Sequence, residues 1–124
     1  MLWGKIMDKL EQIFTAQKHL DQYIKQKKGL ENKFSKEEWI QKKCLALLDE
    51  TAELLNEVNY KWWKNPKELN EKDIKEELVD ILHFWVSMCL DIGLSAEEVH
   101  KIYFEKNKEN LNRQDGKSLK KGYS

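Results

Sequence analysis

Apolar residues recur at intervals of three and four along almost the whole chain, and no run alternates at two. That period lines one side of an α-helix, so the chain is restricted to an all-α fold in which each helix buries one face. In the first segment Ile6, Leu10, Ile13, Phe14, Leu20, Tyr23 and Ile24 carry the stripe, and Gly29 is its natural stop. Ser35-Lys36-Glu37-Glu38 then has the form of a capping box, whose side chains satisfy backbone N–H groups left over in the first helical turn. Behind it Cys44, Leu47, Leu48, Thr51, Leu54, Leu55 and Val58 repeat helically. This second helix is predicted to reach the Trp62-Trp63 region and to stop before Asn65-Pro66, because proline disfavours helix in the residue preceding it. Ile74, Leu78, Ile81, Leu82, Trp85, Met88 and Cys89 form a third run ending at Gly93, and a second capping box, Ser95-Ala96-Glu97-Glu98, opens a fourth through Val99, Ile102 and Tyr103. From about Asn107 the pattern decays. The expectation is a single helical domain over residues 1–106 and a polar segment, 107–124, that is ordered only by a ligand or partner.

Charge narrows what such a bundle binds. The 124 residues carry 22 Lys+Arg against 22 Asp+Glu, which argues against a general binder of polymeric nucleic acid. Lys106 to Ser124 is the exception, with six basic residues against Glu109 and Asp115, and it suits an anion. The longest stretch without a formal charge, Ile81 to Leu90, is far short of the ~18 to 20 apolar residues of a membrane helix. The N-terminus is charged too early for a secretory leader, and Cys44 and Cys89 form no close-spaced motif. A cytoplasmic, reduced setting is therefore expected, with both thiols packed as small hydrophobes. Five tryptophans among four short helices, Trp3, Trp39 and Trp85 at packing positions, leave apolar surface that a homodimer would cover.

Four carboxylates share one geometry. With Leu47 at zero and ~100° per residue, Glu50 falls near 300° and Glu53 near 240°, beside an apolar arc centred near 40°. Setting Ile74 at zero brings Glu77 and Asp80 to the same angles, since an offset of 27 residues maps Leu47, Glu50, Glu53 and Leu54 onto Ile74, Glu77, Asp80 and Ile81. One i,i+3 acidic pair among 22 acidic residues is usually a solvated face. Two pairs bordering the core in the same phase point instead to a shared cleft, where repulsion must be relieved by a cation. Oxygen ligands without thiolate or clustered imidazole favour Mg²⁺, with Mn²⁺ as a substitute. Glu57 shares the edge of Glu50 and is a further candidate, whereas Glu76 points away.

Glu50-x-x-Glu53, a spacer, then Glu77-x-x-Asp80 followed by His83-Phe84 resembles the signature of the all-α NTP pyrophosphatases, which include MazG-like enzymes and the dimeric dUTPases. Gln17-Lys18-His19-Leu20-Asp21, Lys61-Trp62-Trp63-Lys64 and Lys106-Asn107-x-x-Asn110-x-x-Arg113-Gln114-Asp115 extend the likeness toward the dimeric dUTPases. The resemblance implies a helical homodimer that uses Mg²⁺ to convert dUTP, and dUDP, to dUMP by attack on the β-phosphorus. It implies Glu50, Glu53, Glu77 and Asp80 as metal ligands, with Glu50 or Glu53 also activating the water. Lys106, Arg113 and Lys121 would clamp phosphates, Gln17 and Asn110 would read the uracil edge, and Trp62, His83 and Phe84 would surround base or sugar, with Lys64 beside them. Residues 107–124 would then close over the phosphates. Members usually carry Gly-Tyr soon after Arg-Gln-Asp, whereas here Gly116 to Lys121 intervenes before Gly122-Tyr123, so Tyr123 stands at a shifted position. The alternatives are cleavage of dCTP or other non-standard nucleotides, and a non-catalytic helical interaction module. A carboxylate-bridged dimetal oxidase, suggested by Glu97-x-x-His100, is disfavoured because that pair falls in the first turn of its helix.

Overall fold

A computed structural model describes residues 6–119. The fold is all-α: α1 (Lys9–Lys27), α2 (Lys36–Glu57), α3 (Glu71–Asp91) and α4 (Ala96–Gln114), with no strand among the described residues. Each helix begins at a side chain that accepts from the backbone N–H three residues on: Asp8, Ser35, Asn70 and Ser95, at 2.8, 3.1, 3.1 and 3.1 Å. The capping box at Ser35 is complete, since Glu38 also accepts from the Ser35 N–H. At the second expected box Glu98 instead accepts from the Ser95 hydroxyl. Gly29 ends α1 as expected, adopting the left-handed φ of 63° that glycine tolerates without a Cβ clash.

The chain divides into two compact units, Met1–Gly93 and Leu94–Ser124. In the first, α3 lies centrally and packs against both α2 and α1. Its buried apolar centre is small, comprising Phe14 of α1 and Val86 and Cys89 of α3, with Trp85 edge-on to Phe14 at 6.4 Å between ring centroids. The second unit holds α4. No single helix among the described residues is long and apolar enough to cross a membrane.

Two boundaries differ from expectation. α2 stops at Glu57 rather than near Trp62, because Asn59 takes a left-handed φ of 57° and its amide grips the Lys67 backbone twice, donating to the carbonyl and accepting from the N–H, both at 2.9 Å. That clasp folds the segment 58–70 back on itself before α3 begins. At the other end α4 continues past Asn107 to Gln114, so the expected boundary at 106/107 falls inside a helix. Lys108, Glu109, Leu111, Arg113 and Gln114 are good helix formers that carry Asn107, Asn110 and Asn112 with them even without an apolar stripe, and the helix stops only before Gly116, whose φ is 69°.

Ser35→Ala removes one capping partner from the start of α2. We expect it to lower stability by about 1 kcal/mol, read as a reduced urea midpoint with an unchanged m-value.

Candidate active site

Glu50 and Glu53 lie one turn apart on α2, and Glu77 lies on the face of α3 that packs against it. One carboxylate oxygen from each of the three falls within 4.8 Å of the others. Like charges at this range favour the protonated form. Glu77 is accordingly pushed up from 4.5 to about 7, chiefly because its protonated form gives a hydrogen bond to Glu50, then through burial and the charges of Glu53, Glu50 and Asp80. Glu50 is also raised, first by burial and further by Glu53 and Asp80, while the bond from Glu77 opposes the shift.

The Oε2 atoms of Glu50 and Glu77 are shielded from solvent and meet no donor. Two carboxylates can only accept, so they satisfy one another solely through a proton held on one of them or a cation placed between them. An all-oxygen set of this kind fits a hard divalent cation such as Mg²⁺. Asp80 is not among the three converging carboxylates. It lines the adjoining cavity together with Glu50 and acts on Glu50 and Glu77 through its charge. Glu57 is drawn elsewhere, pairing with Lys67 at 3.2 Å, and Glu76 faces Lys72 at 4.0 Å.

Beside the acidic cluster, within the first unit, is a cavity of about 560 Å³ whose lining includes Gln17, Asp80, His83 and Phe84. The resemblance implies Gln17, His83 and Phe84 at one site, and the helices bring all three to this cavity's lining. Gln17 is only 7% exposed, and its amide is engaged at both ends. His83 Nδ1 lies 2.7 Å from Gln17 Oε1, while Gln17 Nε2 donates to Asp21 Oδ1 at 2.9 Å. The other Asp21 oxygen accepts from the Ser87 hydroxyl at 2.6 Å and faces Lys43 Nζ at 4.0 Å; Lys43 in turn pairs with Asp91 at 2.7 Å.

The sequence motifs give Asp21, Ser87, Lys43 and Asp91 no role at the site. The available signal was that Gln17/Asp21 and His83/Ser87 are both i,i+4 pairs, each presenting two polar groups on a helix face that otherwise looks inward.

Other expected residues are not among those that line this cavity. Trp62 is 86% exposed in the segment after α2, stacked edge-on with Trp63 at 5.5 Å, and Lys64 lines a separate hollow with Asn59 and Lys67. Lys106, Asn110 and Arg113 share one face of α4 and line a groove of about 370 Å³ in the second unit. There Arg113 Nη1 donates to Asn110 Oδ1 at 3.4 Å and its Nε lies 3.5 Å from Glu109. Trp3, Lys121 and Tyr123 lie outside the described residues. Of the two thiols, Cys89 is buried as expected, but Cys44 is exposed.

Because Glu77 binds its proton more tightly when folded, with a value of about 7 against 4.5, its contribution to stability is complete below pH 4.5 and lost as pH rises through 7. In EDTA, wild type should therefore lose more melting temperature between about pH 5.5 and pH 8 than Glu77→Gln does. Equal losses in the two proteins would contradict the shared proton.

A family model described as dUTPase matches residues 9–95, which include the acidic cluster and the Gln17–His83 network. A dCTP pyrophosphatase of Enterobacteria phage T4 is 50% identical over 46 residues, 37% of this chain and 27% of that protein. The dCTP pyrophosphatase of Enterobacteria phage LZ5 is 46% identical over the same shares of each chain, so this chain spans about a quarter of the length of those relatives. A Bacillus subtilis (strain 168) protein named YpjD, itself uncharacterized, is 36% identical over 56 residues, 44% of this chain and 50% of its own length. No solved structure matches. With the family match spanning well over half of the chain and the motif residues converging in space, the chain belongs to the dUTPase family, in its all-α form.

Proposed function

We propose that this protein is a Mg²⁺-dependent nucleotide pyrophosphohydrolase that converts dUTP, and dUDP, to dUMP and so limits uracil incorporation into DNA. The observation that carries the reading is the convergence of Glu50, Glu53 and Glu77 within 4.8 Å beside a cavity of about 560 Å³. A nucleotide fits such a division of labour, with its phosphates at the acidic end and its base against Gln17, His83 and Phe84.

Glu50, Glu53 and Glu77 would hold the ion, with Asp80 alongside. When bound, Mg²⁺ supplies charge neutralisation at the phosphate oxygens and makes a coordinated water more acidic. Glu53, the exposed member of the trio, is the best placed to take a proton from an attacking water, while Glu50 and Glu77 orient it through their less accessible oxygens. Phe84 and the aliphatic wall formed by Leu20 and Ile24 keep the base out of water. In the second unit Lys106, Asn110 and Arg113 share one α4 face and carry cationic and amide groups of the kind that bind phosphates and base edges.

A second reading, cleavage of dCTP, draws on the two phage relatives named as dCTP pyrophosphatases. It retains the same metal ligands and changes only the base contacts. A homodimer in the cytoplasm completes the proposal. Leu45, Leu48, Leu78 and Val79 of α2 and α3 are 67, 60, 51 and 52% exposed, more apolar surface than a small domain usually leaves to water.

Chromatography of products from dUTP, dUDP, dCTP, dTTP and UTP tests the activity, with Mg²⁺ and with EDTA. The expected outcome is Mg²⁺-dependent release of dUMP from dUTP and dUDP alone; dCMP release would select the second reading, and no turnover would leave an interaction module. Glu53→Gln should lower turnover by about 100-fold or more while leaving the melting temperature within a few degrees. Sedimentation equilibrium should give twice the 14.9 kDa chain mass, and Leu48→Lys should shift it toward the monomer.

A further inference from the structure

The network behind the cavity ends on a ring whose hydrogen-bonding sense is decided elsewhere. Gln17 can present its amide in either of two orientations, and nothing in the amide itself chooses between them. Asp21 makes the choice. A carboxylate accepts and does not donate, so the Gln17 NH₂ must turn toward Asp21 Oδ1, 2.9 Å away, and the amide oxygen must turn toward His83. An amide oxygen also only accepts, and so the 2.7 Å contact requires the proton on His83 Nδ1. In neutral His83 the lone pair is then on Nε2, leaving an acceptor available to a ligand in the cavity that the ring lines.

Asp21 can perform this task because it is itself held. Ser87, 2% exposed, donates to its second oxygen at 2.6 Å, and the Lys43 ammonium, tied to Asp91, stands 4.0 Å from that same oxygen. A hydrogen-bonded chain therefore runs from Ser87 on α3 through Asp21 and Gln17 on α1 to His83 on α3, with its donors all pointing toward Asp21 and Lys43 of α2 standing beside that carboxylate.

We propose that Asp21, anchored by Ser87 and Lys43, is a positioning residue that locks His83 with Nε2 as an acceptor and thereby selects bases carrying N–H at ring position 3, uracil over cytosine. The inference rests on the nucleotide reading of the cavity. Uracil offers a donor at N3, whereas cytosine offers a lone pair there, so an acceptor facing that position pairs with the first and repels the second. Where a site is built to meet one hydrogen-bonding pattern, the unmatched analogue leaves buried polar groups unpaired and is rejected strongly. Asp21 need not touch the base to have this effect.

Two measurements on the full chain test it. Long-range ¹H–¹⁵N spectra of the imidazoles, with His83 assigned through His83→Gln, report the tautomer without any nucleotide. Wild type is expected as Nδ1–H, and Asp21→Asn, whose amide can donate to Gln17 and turn it over, should move population to Nε2–H. Ser87→Ala, which leaves Asp21, Gln17 and His83 in place, should move it in the same direction by less. Calorimetric affinities for dUMP and dCMP with Mg²⁺ form the second measurement, and the dUMP preference should fall at least about tenfold in Asp21→Asn. Wild-type His83 as Nε2–H, a tautomer unmoved by Asp21→Asn, or an unchanged or increased dUMP preference would each overturn the proposal. So would a wild type that binds neither nucleotide or prefers dCMP. Because neither readout uses turnover, a protein that binds dUMP selectively but hydrolyses nothing would refute the pyrophosphatase reading and leave this one standing.

Discussion

Three carboxylates that repel one another are held together by the packing of α2 on α3, and the chemistry of the site follows from that opposition. Helix packing brings Glu50, Glu53 and Glu77 within 4.8 Å although nothing in their own charge favours it. The cost appears as a displaced proton: Glu77 keeps its hydrogen to about 7, and Glu50 shifts in the same direction. A cation would remove both the repulsion and the need for that proton. The same arrangement that raises the proton affinity of Glu77 is therefore one whose repulsion a divalent ion would relieve.

Around this cluster the first unit has little apolar material in reserve. Phe14, Val86 and Cys89 are its buried hydrophobic residues among those described, while polar Gln17, Lys43 and Ser87 are also buried. Buried polar groups are tolerable only when their partners are in place. Here the partners are one another, linked from Lys43 and Asp91 through Asp21 to Gln17 and His83. The interior is thus organised by directional bonds as much as by apolar contact, and those bonds end at the cavity. The side chains that complete the buried hydrogen bonding are therefore also ones that line the cavity.

Much of this was legible in the chain because helical period and carboxylate spacing are local properties. The 27-residue offset that aligns Glu50 with Glu77 is visible in the letters, and the three converging residues are among the four it identified. Asp80 is different: it shares the phase of Glu53, yet it stands beside the trio, since equal phase on two helices does not set their relative height. The end of α2 at Glu57 departs from the sequence expectation for a related reason. Proline at 66 marked where helix could not continue, but Asn59 stopped it earlier by grasping Lys67 across eight residues, an interaction that no periodicity reveals. In α4 the loss of the apolar stripe suggests a tail, whereas five good helix formers among the eight residues from Asn107 accompany a helix that runs to Gln114.

The amino-acid sequence by itself determined the all-α class, the helix starts at Ser35 and Ser95, and the acidic edges that mark the site, because each depends on residues within a turn or two of one another. Tertiary structure alone decided which polar groups meet. Gln17 and Asp21 are separated by 66 residues from His83 and Ser87, their respective partners. Whether an amide faces a carboxylate or a ring depends on where two helices come to rest against each other. Local spacing specifies the face on which a group lies; only packing specifies what stands opposite it.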